Sequence, residues 1–232
     1  PWTLTQYPTE SYAQLARTST EGYENLVWDA VLKDWDAVRD HQQQLVDLLD
    51  EAGEVRIRAG ETTDVTMSID GNVAINDYGE ANLPGGEVFT APVEDSVDGT
   101  VTFDKPVYTR GREVTGARLV FEDGVVVDPA AETNEEVLTG ILDTDEGARR
   151  LGELGIGMNR GIDRVTDNVL FDEKMGDTVH LALGRAYESN FPPGRAEEAN
   201  DSAVHADMLV DVSEDARLLV DGETVQRNGR FR

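Results

Sequence analysis

With 232 residues and 39% hydrophobic content, the chain can bury a core of ordinary size, in one domain or one and a half. A net charge of −27 and a pI near 4.2 argue against nucleic acid or an anionic membrane surface as a partner. Cysteine is absent, which excludes disulfides, thiolate–metal sites and cysteine nucleophiles, and there is neither a signal peptide nor an apolar run of spanning length.

Residues 1–17 mix apolar and turn residues. From Thr20 the apolar positions recur with helical spacing (Leu26, Val27, Ala30, Val31, Trp35, Val38, Leu45, Leu48, Leu49), with Thr18 or Ser19 as the cap. A break near Asp34 divides the stretch into two helices, His41 falls on their solvated side, and Gly53 ends it. Beyond Gly53 the period changes to two. Val55 to Arg58, Val65 to Ile69, Val101 to Phe103, Val114 to Phe121 and Val125 to Asp128 read as strands, with a turn at Asp70-Gly71 and a hairpin turn at Asp123-Gly124. Residues 133–150 read as helix in one or two pieces, and 177–188 as a short buried helix capped by Asp177 or Thr178. Strands return over Val204 to Val212, Ala216 to Val220 and Thr224 to Arg227, with a turn at Asp221-Gly222. The expected class is α+β: a β-rich domain over residues 53–232 with a few helices, preceded by a helical segment over 1–52.

Carboxylates are spread over the whole chain, and lysine is confined to Lys33, Lys105 and Lys174. That profile fits a soluble protein of a high-salt cytoplasm, where dense carboxylates keep the surface hydrated and salt screens their repulsion.

Four segments combine chemistry-bearing residues with apolar or Gly-rich surroundings. In Val204-His-Ala-Asp, a strand places His205 and Asp207 on one side, and the apolar neighbours imply that the acid needs a compensating charge. In His180 to Tyr187, a helix places His180 and Tyr187 on one face two turns apart; taken alone, the pair reads better as a hydrogen-bonded core. In Asn82 to Gly99, Glu87 leaves a Pro84-Gly85-Gly86 turn into an apolar run, and Glu94 follows. In Arg150 to Asn159, Glu153 is the only charge between Leu151 and Asn159, and Gly155, Gly157 and Gly161 miss the spacing of a dinucleotide loop. No Lys or Arg adjoins Glu87, Glu153 or Asp207 in sequence. Imidazole and carboxylate together suit divalent metal ions that activate water.

Taken in order, Asn82 to Gly99, Arg150-Leu-Gly-Glu, His180-Leu-Ala-Leu-Gly-Arg-Ala-Tyr and Val204-His-Ala-Asp resemble the M29 family of metallo-aminopeptidases, and Pro1 to Thr9 also looks like a family segment. The resemblance implies Glu87, Glu153, His180, His205 and Asp207 as metal ligands, with Glu153 and Asp207 as bridges. It places Tyr187 at the metals, as ligand or as stabiliser of the oxyanion, and offers Glu94 as proton acceptor. It further implies two divalent ions, zinc or cobalt ahead of magnesium or manganese, with a bridging hydroxide that releases the N-terminal residue of peptides bearing a free amine. Family members are dimers with a further N-terminal α/β domain, so residues 1–52 would be the end of that domain and its connection. Two other readings stay open: an amidohydrolase acting on another substrate class, and a non-enzymatic, salt-adapted module.

Overall fold

The structure, a computed structural model, describes residues 2–109 and 111–232; Pro1, which opens the first family-like segment, lies outside them. Strand β1 (Leu4–Thr5) precedes α1 (Glu10–Leu15), α2 (Thr20–Val31) and α3 (Trp35–Asp50). Thr9, Ser19 and Asp34 cap the three helices, each side chain accepting a backbone N–H from the first turn. Ser19 is therefore the cap of the two expected from sequence, and the break falls at Asp34 as expected. His41 is exposed.

Strands β2 (Glu54–Ala59), β3 (Thr63–Ser68), β4 (Ile75–Asp77), β5 (Asn82–Leu83), β6 (Glu87–Thr90), β7 (Asp98–Phe103), β8 (Val107–Thr109), β9 (Arg112–Val114), β10 (Ala117–Glu122) and β11 (Val125–Ala130) lead to α4 (Glu135–Leu142). Then come β12 (Leu151–Gly157), α5 (Val169–Asp172), β13 (Thr178–Gly184), β14 (His205–Asp211), β15 (Ala216–Val220), β16 (Glu223–Arg227) and β17 (Arg230–Phe231). The architecture is α+β and β-rich, as expected. Asp123-Gly124 and Asp221-Gly222 make two-residue hairpin turns with positive φ at both positions, the backbone that Asp-Gly favours.

Two sheets dominate. One has eight strands in the order β11-β10-β7-β3-β2-β15-β16-β17, the other five in the order β14-β13-β12-β6-β4. Val55, Ile57, Val65 and Leu119 from the first and Val88, Leu154, Leu181 and Val210 from the second belong to one buried cluster, joined by Leu45, Val46 and Leu49 of α3. A second cluster covers part of the opposite face of the five-stranded sheet, where Tyr23, Leu26 and Val27 of α2 meet Phe171, Met175 and Leu209. The central strands of the smaller sheet are therefore covered on both faces.

That double burial explains the largest departure from the sequence reading. Residues 177–188 are not a helix: Thr178–Gly184 is strand β13, buried at all seven positions. A strand enclosed on both sides loses its polar alternation and reads like a buried helix. Glu153 lies within β12, a strand also buried throughout. Residues 133–150 divide into α4 and a 3-10 turn at Gly147–Arg149.

Asp172, at the end of α5, is buried and accepts hydrogen bonds from the Thr166 N–H at 2.8 Å and hydroxyl at 2.7 Å. Burial outweighs these bonds and pushes its carboxyl up to about 6. A raised carboxyl binds its proton more tightly in the folded than in the unfolded chain. Its contribution to stability is thus fullest below about pH 4 and is lost as pH rises through 6. Asp172→Asn keeps an acceptor for Thr166 and carries no charge. Urea unfolding at pH 5 and pH 7.5 should show the variant gaining on the parent at the higher pH by about 1.4 kcal/mol; equal pH slopes for the two proteins would count against this account.

Candidate metal centre

Four adjacent strands of the five-stranded sheet carry the site: Glu87 on β6, Glu153 on β12, His180 on β13, and His205 and Asp207 on β14. Alternation along each strand points all five side chains to the face opposite the main core. Each has a small residue directly across the ladder on one side. Gly157 lies opposite Glu87, Gly155 opposite His180, Ala182 opposite both Glu153 and Asp207, and Gly184 opposite His205. This is the physical role of the glycines after Glu153. A methyl group on Gly155 would lie 2.0 Å from Cε1 and Nε2 of His180, so the ring occupies the space that a side chain there would fill.

The ligand atoms converge in two groups, Glu87–Glu153–His180 and Glu153–His205–Asp207, with the atoms of each within 4.8 Å of one another. His180 Nε2 is 3.2 Å from Glu153 Oε1 and 3.4 Å from Glu87 Oε2. His205 Nε2 is 3.3 Å from Glu153 Oε2 and 3.5 Å from Asp207 Oδ1. Glu153 thus turns one oxygen to each group. The Nδ1 of His205 lies 2.8 Å from the Arg185 carbonyl, to which it donates, so the lone pair of a neutral ring sits on Nε2, facing the site. Glu87 Oε2, Asp207 Oδ1 and His180 Nδ1 are buried without a hydrogen-bond partner.

The electrostatics follow from crowding in a dry setting. Burial alone would raise Glu153, but hydrogen bonds from His180 and His205 outweigh it and hold the carboxyl down at about 2. Burial would lower both imidazoles, yet the facing carboxylates raise His180 to about 9 and His205 to about 11. Burial pushes Glu87 up to about 8, against the pull of Lys174.

Lys174 is the residue that sequence reading missed. Completely buried, its Nζ donates to Glu87 Oε1 at 3.1 Å and to Glu173, and lies 3.5 Å from Asp77 Oδ2. Burial would lower the ammonium; Glu87, Glu173 and Asp77 together raise it, and it stays charged. Glu87 therefore does have a cationic partner, one that adjoins it in space and not along the chain. The available signal was lysine scarcity: one of only three lysines sits directly after Glu173, in a stretch with Phe171 and Met175.

Tyr187 is not on a helix with His180. It follows β13 in extended backbone and is 46% exposed, with its ring centroid 5.0 Å from that of His205 and 5.8 Å from that of Phe89. Burial of the hydroxyl, with Glu153 and Asp207 nearby, raises its pKa. Glu94 does not join the cluster. It is exposed and pairs with Arg150 at 3.0 Å, which ties it to another part of the surface. His205, Ala206, Asp207 and Leu209 form one wall of a cleft of about 410 Å³, open to solvent, whose other walls include Val107 and Val169.

Residues 1–231 match the family described as thermophilic metalloprotease (M29). Aminopeptidase 2 of Geobacillus stearothermophilus is 34% identical over 259 residues, covering 96% of this chain and 61% of that protein. Aminopeptidase T of Thermus aquaticus is 41% identical over 163 residues, covering 65% of this chain and 40% of that protein. Among solved structures, wild-type AmpT from Thermus thermophilus superposes with a TM-score of 0.87 at 28% identity, covering 99% of this chain and 64% of that one. A 2,5-dihydroxypyridine dioxygenase from Pseudomonas putida KT2440 shares the fold, with a TM-score of 0.70 at 16% identity over 99% of this chain and 70% of that one. The chain spans about three fifths of the length of the first of these relatives. Among the described residues, no helix is long and apolar enough to cross a membrane.

Proposed function

Because the chain belongs to the thermophilic metalloprotease (M29) family, we propose that it carries the metal-dependent machinery of an aminopeptidase, acting through two divalent ions that share Glu153. The observation that supports this best is the pair of ligand groups with Glu153 common to both. The residues fit such ions on three counts. Imidazole and carboxylate are suitable donors for zinc or cobalt. Buried oxygens of Glu87 and Asp207 have no hydrogen-bond partner. With neutral imidazoles, the five carboxylates of Glu87, Glu153, Asp207, Glu173 and Asp77 against the Lys174 ammonium leave four negative charges, which two divalent cations would balance. Asp207 belongs to one group only, so of the two bridges expected from the family resemblance the geometry favours Glu153.

When bound, the ions lower the pKa of a shared water and polarise the scissile carbonyl. The protein's own residues supply the rest. Tyr187, beside His205, would offer its hydroxyl hydrogen to the developing oxyanion; the raised pKa keeps that proton in place at neutral pH. The surrounding carboxylates favour a substrate whose reacting end bears an ammonium. The cleft bordered by His205 and Asp207 would receive the peptide. Salt adaptation, a cytoplasmic setting and a homodimeric assembly belong to the same reading; they rest on composition and family resemblance.

The test is hydrolysis of leucyl arylamide against its N-acetyl counterpart, with metal content measured in parallel. The unblocked substrate should be cleaved at least ~100-fold faster, since burying carboxylates without their ammonium partner costs several kcal/mol. Equal cleavage of the two would replace the aminopeptidase reading with that of a broader amidohydrolase. Absence of tightly held divalent metal would remove the enzymatic reading altogether.

A further inference from the structure

Lys174 holds one oxygen of Glu87 and leaves the other free. Its Nζ is 3.1 Å from Oε1, whereas Oε2 has no hydrogen-bond partner and faces His180 Nε2 at 3.4 Å. The lysine is also asymmetrically placed. It contacts Glu87, Asp77 and Glu173, and none of its contacts reaches His205 or Asp207. Asp77 lies directly opposite Glu87 in the β4–β6 pairing, so this ion cluster is built into the sheet on the Glu87 side of the site.

From this placement we propose that Lys174 makes the two metal positions unequal: it weakens cation binding at Glu87–Glu153–His180 relative to Glu153–His205–Asp207, so the positions fill in sequence. This inference rests on the two-metal reading above. A cation at the first position would share Glu87 with a buried ammonium. Charge repulsion scales with the product of the charges and inversely with their distance, and a dry setting weakens it little. A cation at the second position would be held by His205 and Asp207, neither of which Lys174 contacts. Glu87 still serves as a ligand because Lys174 takes only Oε1. The lysine is thus a positioning residue, tuning how tightly Glu87 can hold an ion without touching substrate.

A purely structural counter-ion would support the fold and leave metal affinities alone, so stepwise affinity separates the two roles. The measurement is calorimetric titration of the metal-stripped chain with Zn²⁺, repeated with Co²⁺ while its visible absorption is followed. The parent chain should show two steps, the second at least roughly tenfold weaker. Lys174→Met should narrow that gap by tightening the weak step alone. Asp77→Asn removes a carboxylate from the lysine's surroundings without touching a ligand, so it should weaken the weak step further and leave the tight one unchanged. It also serves as the deciding variant if Lys174→Met fails to fold. Two equal steps in the parent chain, or variants that move both steps alike or neither, would overturn the inference and leave two-metal binding intact. Uptake of fewer than two ions by the parent would instead overturn the two-metal reading itself.

Discussion

Replacing Glu153 with glutamine should empty both metal positions at once. The carboxylate turns Oε1 to His180 and Oε2 to His205, and it is the one residue common to both ligand groups. An amide in its place keeps the shape but removes the charge, and one of its two ends presents N–H donors where an acceptor is needed. Dialysed Glu153→Gln protein should retain less than one ion per chain, and arylamide hydrolysis should fall by ~10³-fold or more, corresponding to several kcal/mol of lost transition-state stabilisation. Asp207→Asn is the informative comparison, because Asp207 belongs to the second group alone. It should leave one ion bound. If Glu153→Gln kept two ions, the bridging role would be lost.

A single methyl group at Gly155 should do comparable damage by steric means. The added Cβ would sit 2.0 Å from two atoms of the His180 ring, which is completely buried. Overpacking of this kind costs ~3 kcal/mol. For a chain of this size, that lowers the melting temperature by roughly 6–12 °C. The chemical consequence is sharper than the thermal one. A displaced ring removes the nitrogen ligand of the Glu87 position and spares His205 and Asp207. Gly155→Ala should therefore melt early and bind one ion in place of two. Unchanged metal stoichiometry would show that the ring tolerates displacement and that the glycine serves the fold alone.

The parts of the fold that were legible in the sequence are those governed by local rules. Asp123-Gly124 and Asp221-Gly222 announce hairpins because their backbone needs positive φ, and the alternation of Val55 to Arg58 marks a strand with one wet face. His205 and Asp207 come together because strand alternation alone puts them on one side. The setting of His180 was not legible. Its neighbours Val179, Leu181 and Leu183 pack into the main core while second-face partners enclose the ring, so the segment carries no polar alternation to betray a strand. The place of Glu94 outside the cluster was not legible for a different reason. The segment containing it resembles the family as a unit, but its partner Arg150 lies 56 residues further on and holds it away from the cluster. Lys174 and Glu87 are separated by 87 residues, and a pairing across that distance is set by sheet order, which local patterns do not encode.

The order of the five-stranded sheet has a further consequence. Strand β14 is one of its two outermost members, joined within the sheet only to β13. A border strand secured by one ladder is where a sheet frays first. An ion held between Glu153 and the pair His205–Asp207 would anchor that border to β12, one strand beyond its hydrogen-bonded neighbour. Catalytic loading and mechanical integrity would then be one property: whatever strips the ions from this protein also loosens the rim that presents them.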